Sequence, residues 1–204
     1  MFGIDVTEYD RKVWQEKLCD FLPDHLIDTH MHLWEPGTRK VGLKGCVTWT
    51  SIVAPSLTYE DMKETYSKVF PGKTVSQVLT GSPSCNLPVV NKYIRECADK
   101  YGHRSLYCTN WDSDEEEILK AMINGFSGIK PYQNNSPSYI PASEVRIFDF
   151  LTHRQLELMN KIGGIVLLHI PRNLRLRDPI NLAQMMEIDE RYPNAKVIIA
   201  HVGR

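Results

Sequence analysis

Short apolar runs alternate along the chain with helix-like segments, and this rhythm limits how the polypeptide can fold. We predict one strand around residue 28 and others at 73–80, 104–109, 126–130, 165–168 and 196–200. Most of them are separated by the length of a helix and two loops, as repeated βα units require. Each crossover returns the chain to the same end of the sheet, so the strands should be parallel. The sequence therefore predicts an α/β fold.

Capping residues and helix breakers define the segments between the strands. We predict helices over 7–22, over 58–69, from Pro88 to Gly102, from a capping box of Ser113 and Glu116 to near Gly125, over about 143–161, and from Asp178-Pro179 to Tyr192. The segment 33–57 is rich in Gly, Pro and Trp, and we predict an insertion that covers one mouth of the sheet.

Charge and composition exclude several classes of protein. The chain has 24 basic and 25 acidic side chains, a net charge of −1, which argues against a nucleic-acid partner. No apolar stretch reaches the roughly 18 residues that span a bilayer, and the N-terminus is too acidic for a signal peptide. The five cysteines form no CxxC pair, so we expect reduced thiols. These features predict a cytoplasmic protein without a membrane partner.

Ionisable side chains stand where four of the apolar runs stop. His30 and His32 end the first run, Lys130 follows the fourth, and His169 and His201 follow the last two. In a parallel α/β sheet the carboxyl ends of the strands lie together, and ligands bind at that edge. We therefore expect these five side chains to form one site.

Histidines at this spacing are typical of a metal site. His30 and His32 are two residues apart, so on an extended strand both imidazoles face the same side and can hold one divalent cation. His169 is the best candidate for a third ligand. His201 is then left as the base that orients the nucleophilic water and carries its proton, since an imidazole titrates near neutral pH.

Other polar and aromatic residues suggest contacts to a small-molecule substrate. Lys130 could neutralise a substrate carboxylate, or its amine could be carboxylated and bridge two metal ions. Trp34, with Trp49 and Trp111, could line a pocket for an aromatic or acyl group, although packing is the commoner fate of tryptophan. Arg172 and Arg204 could each clamp a carboxylate.

Three segments together resemble the amidohydrolase superfamily. They are Ile27–Trp34 (IDTHMHLW), Gly128–Pro131 (GIKP) and Ala200–Arg204 (AHVGR), and they look most like the amidohydrolase-related branch that contains aminocarboxymuconate semialdehyde decarboxylase. The resemblance implies a (β/α)8 TIM barrel with one divalent metal, most often zinc, with manganese or iron as alternatives. It also implies that His30, His32 and His169 are ligands and that His201 is catalytic.

The chain differs from that family in length. We count about six βα units, and no residue corresponds to the aspartate that the family places after its eighth strand. We therefore expect residues 1–204 to form a single, incomplete barrel domain. Its open edges would pair with a missing C-terminal segment or with a second copy in a homodimer.

Several functions are compatible with this set of residues. The first is metal-dependent hydrolysis of a lactone, amide or related carbonyl substrate. The second is nonoxidative decarboxylation of a carboxylated aromatic or unsaturated acid, which uses the same residues. A noncatalytic fragment is the third. A TatD-type nuclease ranks lower, because that family has glutamate where this chain has Lys130.

Overall fold

The computed structural model describes residues 5–39 and 54–203. Its strands form two parallel sheets, ordered β1-β2-β3 and β4-β5-β6-β7. The strands are β1 His25–Leu33, β2 Thr74–Gly81, β3 Arg104–Ser105, β4 Tyr107–Thr109, β5 Gly128–Pro131, β6 Ile165–Leu168 and β7 Lys196–Ile199. Only Leu106 separates β3 from β4, and its amide donates to Leu79 of β2. The predicted α/β fold with parallel strands is confirmed.

Helices connect most of the consecutive strands. They are α1 Glu8–Val13, continued by a π-helical turn at Trp14–Leu18, α2 Tyr59–Val69, α3 Leu87–Tyr101, α4 Glu115–Ile123, α5 His153–Ile162 and α6 Pro179–Arg191. Each begins after a residue whose side-chain oxygen accepts a backbone N–H of the first turn. Within the described part of the chain, no helix combines the length and apolar character needed to cross a bilayer.

Sequence predicts some boundaries well and misplaces others. The helix predicted over 58–69 begins at a capping box of Thr58 and Asp61, and Gly102 ends α3 in the left-handed conformation. The predicted capping box of Ser113 and Glu116 is wrong, because the side chain of the next residue, Asp114, accepts from Glu117 N and caps α4. The Ser113 hydroxyl instead accepts from Asn110 N.

The predicted helix at about 143–161 is also too long. Residues 143–152 are not α-helical. They contain a 3-10 helix over Ile147–Asp149, and the side chain of Asp149 accepts from Arg146 N. The α-helix begins only after Thr152, which accepts from Gln155 N.

The described residues show only the ends of the predicted insertion at 33–57. Leu33 ends β1, and Trp34 pairs with Leu57 in an antiparallel bridge. Residues 40–53 of the insertion, which include Trp49, lie outside the described residues, as does Arg204.

Apolar side chains cover both faces of the sheets. One cluster joins β1 and β2 to α2 and α3, and a second joins β5 and β6 to α4, α5 and α6. A third, smaller cluster contains Val78 of β2, Leu106 between β3 and β4, Leu167 of β6 and Ala200, which follows β7. Sheets buried on both faces need apolar residues along their whole length, which the run Ile165–Leu168 illustrates.

The strands do not close into a ring within the described residues. Among residues 5–39 and 54–203, β1 and β7 each pair with one neighbour, so no described strand covers their other side. Apolar side chains are exposed on these elements: Ile27 of β1 is 68% exposed, Ile199 of β7 38%, and Met186 of the adjoining α6 63%. An unpaired strand with exposed apolar residues is a site where another chain can add.

We therefore expect this chain to self-associate through β7. Ile199→Lys places a charge at the open edge and should lower the weight-average mass seen in sedimentation. Ile123→Lys, at an 84% exposed position on α4, is the matched control and should leave association unchanged. A chain that stays monomeric at high concentration, or equal effects of the two substitutions, would contradict this prediction.

Candidate metal centre

The five side chains predicted to form a site stand at the carboxyl ends of their strands. β1 carries His30 and His32, and β5 carries Lys130. His169 directly follows β6, and His201 lies in the short 3-10 segment Ala200–Gly203 after β7. Parallel pairing brings these ends to one edge of the fold, as the sequence suggests.

The structure brings the imidazoles together. The Nε2 atoms of His30 and His32 are 2.9 Å apart. The ring of His30 lies 5.0 Å from that of His169 and 4.9 Å from that of His201, measured between centroids. One nitrogen from each of His30, His169 and His201 lies within 4.8 Å of the others. His201 is therefore part of the same cluster as the predicted ligands.

Hydrogen bonds fix which nitrogen of His32 is free. Its Nδ1 lies 2.8 Å from the carbonyl oxygen of Gly81, and a carbonyl can only accept. Nδ1 therefore carries the proton, and the lone pair is on Nε2, which faces His30. The hydroxyl of Tyr132 donates to the same carbonyl at 2.8 Å and lies 3.2 Å from His32 Nδ1.

Burial keeps the imidazoles neutral. Burial, followed by the neighbouring His32, lowers the pKa of His30 to about 2. Burial, followed by the nearby Lys130, lowers the pKa of His32 to about 4. Burial and the nearby Lys130 also lower the pKa of His169. At neutral pH these rings are uncharged, which is the form that binds metal ions.

Lys130 is fully buried beside the histidines. Its Nζ donates to the carbonyl of Leu167 at 3.0 Å and lies 2.5 Å from His169 Nδ1. Burial lowers the pKa of Lys130 well below its usual value.

The donor set fits a divalent transition metal. Imidazole nitrogens suit zinc, iron, copper and nickel, and they bind zinc at about 2.0–2.1 Å. Two ligands of one such ion lie no more than about 4 Å apart, so the 2.9 Å between His30 and His32 fits directly. The nitrogens of His30, His169 and His201 lie within 4.8 Å of one another, slightly beyond this limit.

Two predicted substrate contacts have other partners in the structure. Arg172 donates from Nε to Asp178 at 2.7 Å and lies 3.4 Å from Glu144 through Nη1. Its guanidinium is therefore already paired with two carboxylates. Trp34 is only 4% exposed, packs in the first core cluster, and donates from Nε1 to the carbonyl of Pro55.

Sequence reasoning assigned no role to Tyr132 or to Asp28. Tyr132 lies two residues after Lys130, so the alternation of side chains along a strand places both on the same face. Lys130 Nζ indeed lies 4.8 Å from the Tyr132 ring centroid. Asp28 was visible in the sequence as a strand-end residue, but its bond to the backbone of His30 was not.

Comparison with known proteins supports the fold. Neither a protein-family model nor a curated protein matches the chain. A crystal structure of a probable 2-pyrone-4,6-dicarboxylic acid hydrolase from Acinetobacter baumannii, with citric acid bound, is similar with a TM-score of 0.58 at 16% identity. An amidohydrolase II structure has a TM-score of 0.48 at 17% identity over 87% of this chain and 67% of its own.

The first of these similarities shows that the chain shares the α/β fold of the Acinetobacter structure. The match covers 87% of this chain but only 58% of the Acinetobacter protein, so the chain spans little more than half of that length.

Removing two of the predicted ligands should abolish metal binding. We expect the wild-type protein to bind about one equivalent of Zn²⁺. At a hundred times the Kd, the ion should raise the Tm by about 5–10 °C. The double variant His30→Ala, His32→Ala should show neither effect in metal analysis and thermal unfolding.

His25→Ala is the matched control for this experiment, because His25 lies on the same strand but is exposed and contacts Ser76. It should bind zinc like the wild type. Equal zinc content in all three proteins would contradict the site.

Proposed function

We propose that this chain is a metal-dependent hydrolase that acts on a lactone, amide or related carbonyl substrate. The observation that carries the proposal is the convergence of four imidazoles beside the buried amine of Lys130. The fold supports it, since the similar Acinetobacter structure is that of a probable 2-pyrone-4,6-dicarboxylic acid hydrolase.

His30, His32 and His169 would hold the metal, because His32 and His169 each lie beside His30 and all three rings are uncharged. A divalent ion bound there would polarise a substrate carbonyl and make water more acidic. The chain supplies the orientation: the Gly81 carbonyl and Tyr132 fix the ring of His32, and Lys130 contacts the ring of His169.

His201 is proposed as the base that moves the proton. It is the exposed member of the cluster, whereas the other imidazoles are partly buried, so it can exchange protons with solvent. Its backbone has φ of 51°, in the left-handed region, so the chain turns where β7 ends. Non-glycine residues in this conformation cost about 1–3 kcal/mol and are frequent at functional sites.

The charge of the site favours a substrate with a carboxylate. Within residues 5–39 and 54–203, no acidic side chain forms an ion pair with Lys130. A substrate carboxylate could provide that missing negative charge, and binding it would require no acidic side chain to leave Lys130. The citric acid bound in the Acinetobacter structure and the dicarboxylic acid in that protein's name both carry carboxylates.

Hydrolysis can be tested with a panel of lactones and amides that carry carboxylates. The zinc- or manganese-loaded protein should hydrolyse at least one of these substrates. The reaction is measured as the loss of substrate absorbance. His30→Ala, His32→Ala should be at least about 100-fold slower, while His25→Ala should match the wild type. Release of carbon dioxide without hydrolysis would instead identify a decarboxylase, and no reaction by metal-loaded protein would contradict both activities.

The role of Lys130 can be tested by changing the charge of the substrate. Lys130→Met should lower kcat/KM for the carboxylate substrate by about 10- to 100-fold, because a charged hydrogen bond is lost. The methyl ester of the same substrate, which lacks the charge, should be affected much less. Lys161→Met, at an exposed position on α5, is the control. Equal losses for acid and ester would show that Lys130 does not bind the carboxylate.

A further inference from the structure

The stretch of β1 that contains His30 has one residue more than the stretch of β2 that it faces. Its parallel register with β2 runs from His25 to Asp28, opposite Gln77, and resumes at Met31, opposite Leu79. Over this interval β1 advances three residues while β2 advances two. This is a β-bulge, which changes the face on which the following side chains lie.

The bulge separates Asp28 from the histidines. Residues paired across parallel strands point to the same face, so Asp28 and Met31 share the face of Gln77 and Leu79. His32 is paired with Thr80 and lies on the opposite face. In a regular strand Asp28 and His32, four residues apart, would share one face. The bulge therefore directs His32 to the metal centre and Asp28 to the helix layer.

A carboxylate holds this bulge closed. Asp28 Oδ1 accepts the backbone N–H of His30 at 2.8 Å, and its Oδ2 accepts a short hydrogen bond from the Tyr66 hydroxyl of α2. The same hydroxyl lies 3.5 Å from the sulfur of Met31. Tyr66 thus contacts residues on both sides of the bulge and ties it to a helix.

We propose that Asp28 and Tyr66 are positioning residues that hold the β1 bulge so that His30 and His32 meet at the metal centre. The inference rests on the proposed function, because it concerns the ligands of that site. Neither residue would touch the metal or the substrate. Their effect is exerted through the backbone of His30, whose N–H is fixed by Asp28.

Zinc affinity provides the first test. Residues that orient metal ligands typically change affinity 10- to 100-fold when removed. Tyr66→Phe should therefore weaken Zn²⁺ binding about 10-fold, and Asp28→Ala by about 100-fold. Asp28→Asn should recover part of the affinity, because its amide oxygen can still accept the His30 N–H. With Co²⁺ in place of Zn²⁺, the visible absorption bands should shift in Tyr66→Phe, since they report ligand geometry.

Tyr107→Phe is the matched control. Tyr107 also donates its hydroxyl to a carboxylate, that of Glu117 at 2.8 Å, but it lies on β4. Both tyrosine variants should lose a similar few degrees of Tm, whereas only Tyr66→Phe should change zinc affinity and the cobalt spectrum. Equal metal binding by Tyr66→Phe, Asp28→Ala and the wild type would overturn the inference.

The ¹⁵N shifts of the His30 and His32 rings give a second readout, independent of metal. They should change in Tyr66→Phe and remain unchanged in Tyr107→Phe. If the wild type bound no metal, the proposed function would fail. The ring shifts alone would then decide the inference, and unchanged shifts in Tyr66→Phe would overturn it.

Discussion

Parallel pairing of the strands brings four imidazoles and one amine to the same edge of the fold, where burial removes much of the water that would solvate them. The loss of water is the main cause of the lowered pKa of His30, His32 and His169. Protonation of one ring would also place its charge beside the other rings and Lys130. The nitrogen lone pairs therefore stay free at neutral pH, which is the condition for binding a cation.

The architecture was predictable because the strands and helices have strong local signals. Ile165–Leu168 is an uninterrupted apolar run between Gly164 and a histidine, and the structure has a strand over the same residues. Boundaries failed where neighbouring residues compete for the same role. Asp114 caps α4 in place of Ser113, since either side chain can accept an N–H and one residue of register decides between them.

The candidate site was predictable only in part. The predicted strand ends identified five residues, because the position of a residue after an apolar run is enough to place it at the carboxyl edge of a parallel sheet. These residues are His30, His32, Lys130, His169 and His201. The relation of Asp28 to His30 depends on a bulge, and nothing in the local sequence requires the extra residue. The partners of Arg172 likewise depend on Glu144, which is distant in sequence, so the sequence suggested a substrate clamp where the structure has an ion-pair network.

The buried amine of Lys130 affects which charged groups the site can bind. Burying a lysine without an acidic partner is unfavourable, and the amine responds by becoming easier to deprotonate. A divalent cation at the histidines would add positive charge close by and disfavour the protonated amine further. A substrate carboxylate would favour the protonated amine, since its negative charge would stabilise both the ammonium group and the divalent cation. With a metal ion bound, the neutral imidazoles and the buried amine would thus form a site whose positive charge an anionic substrate would balance.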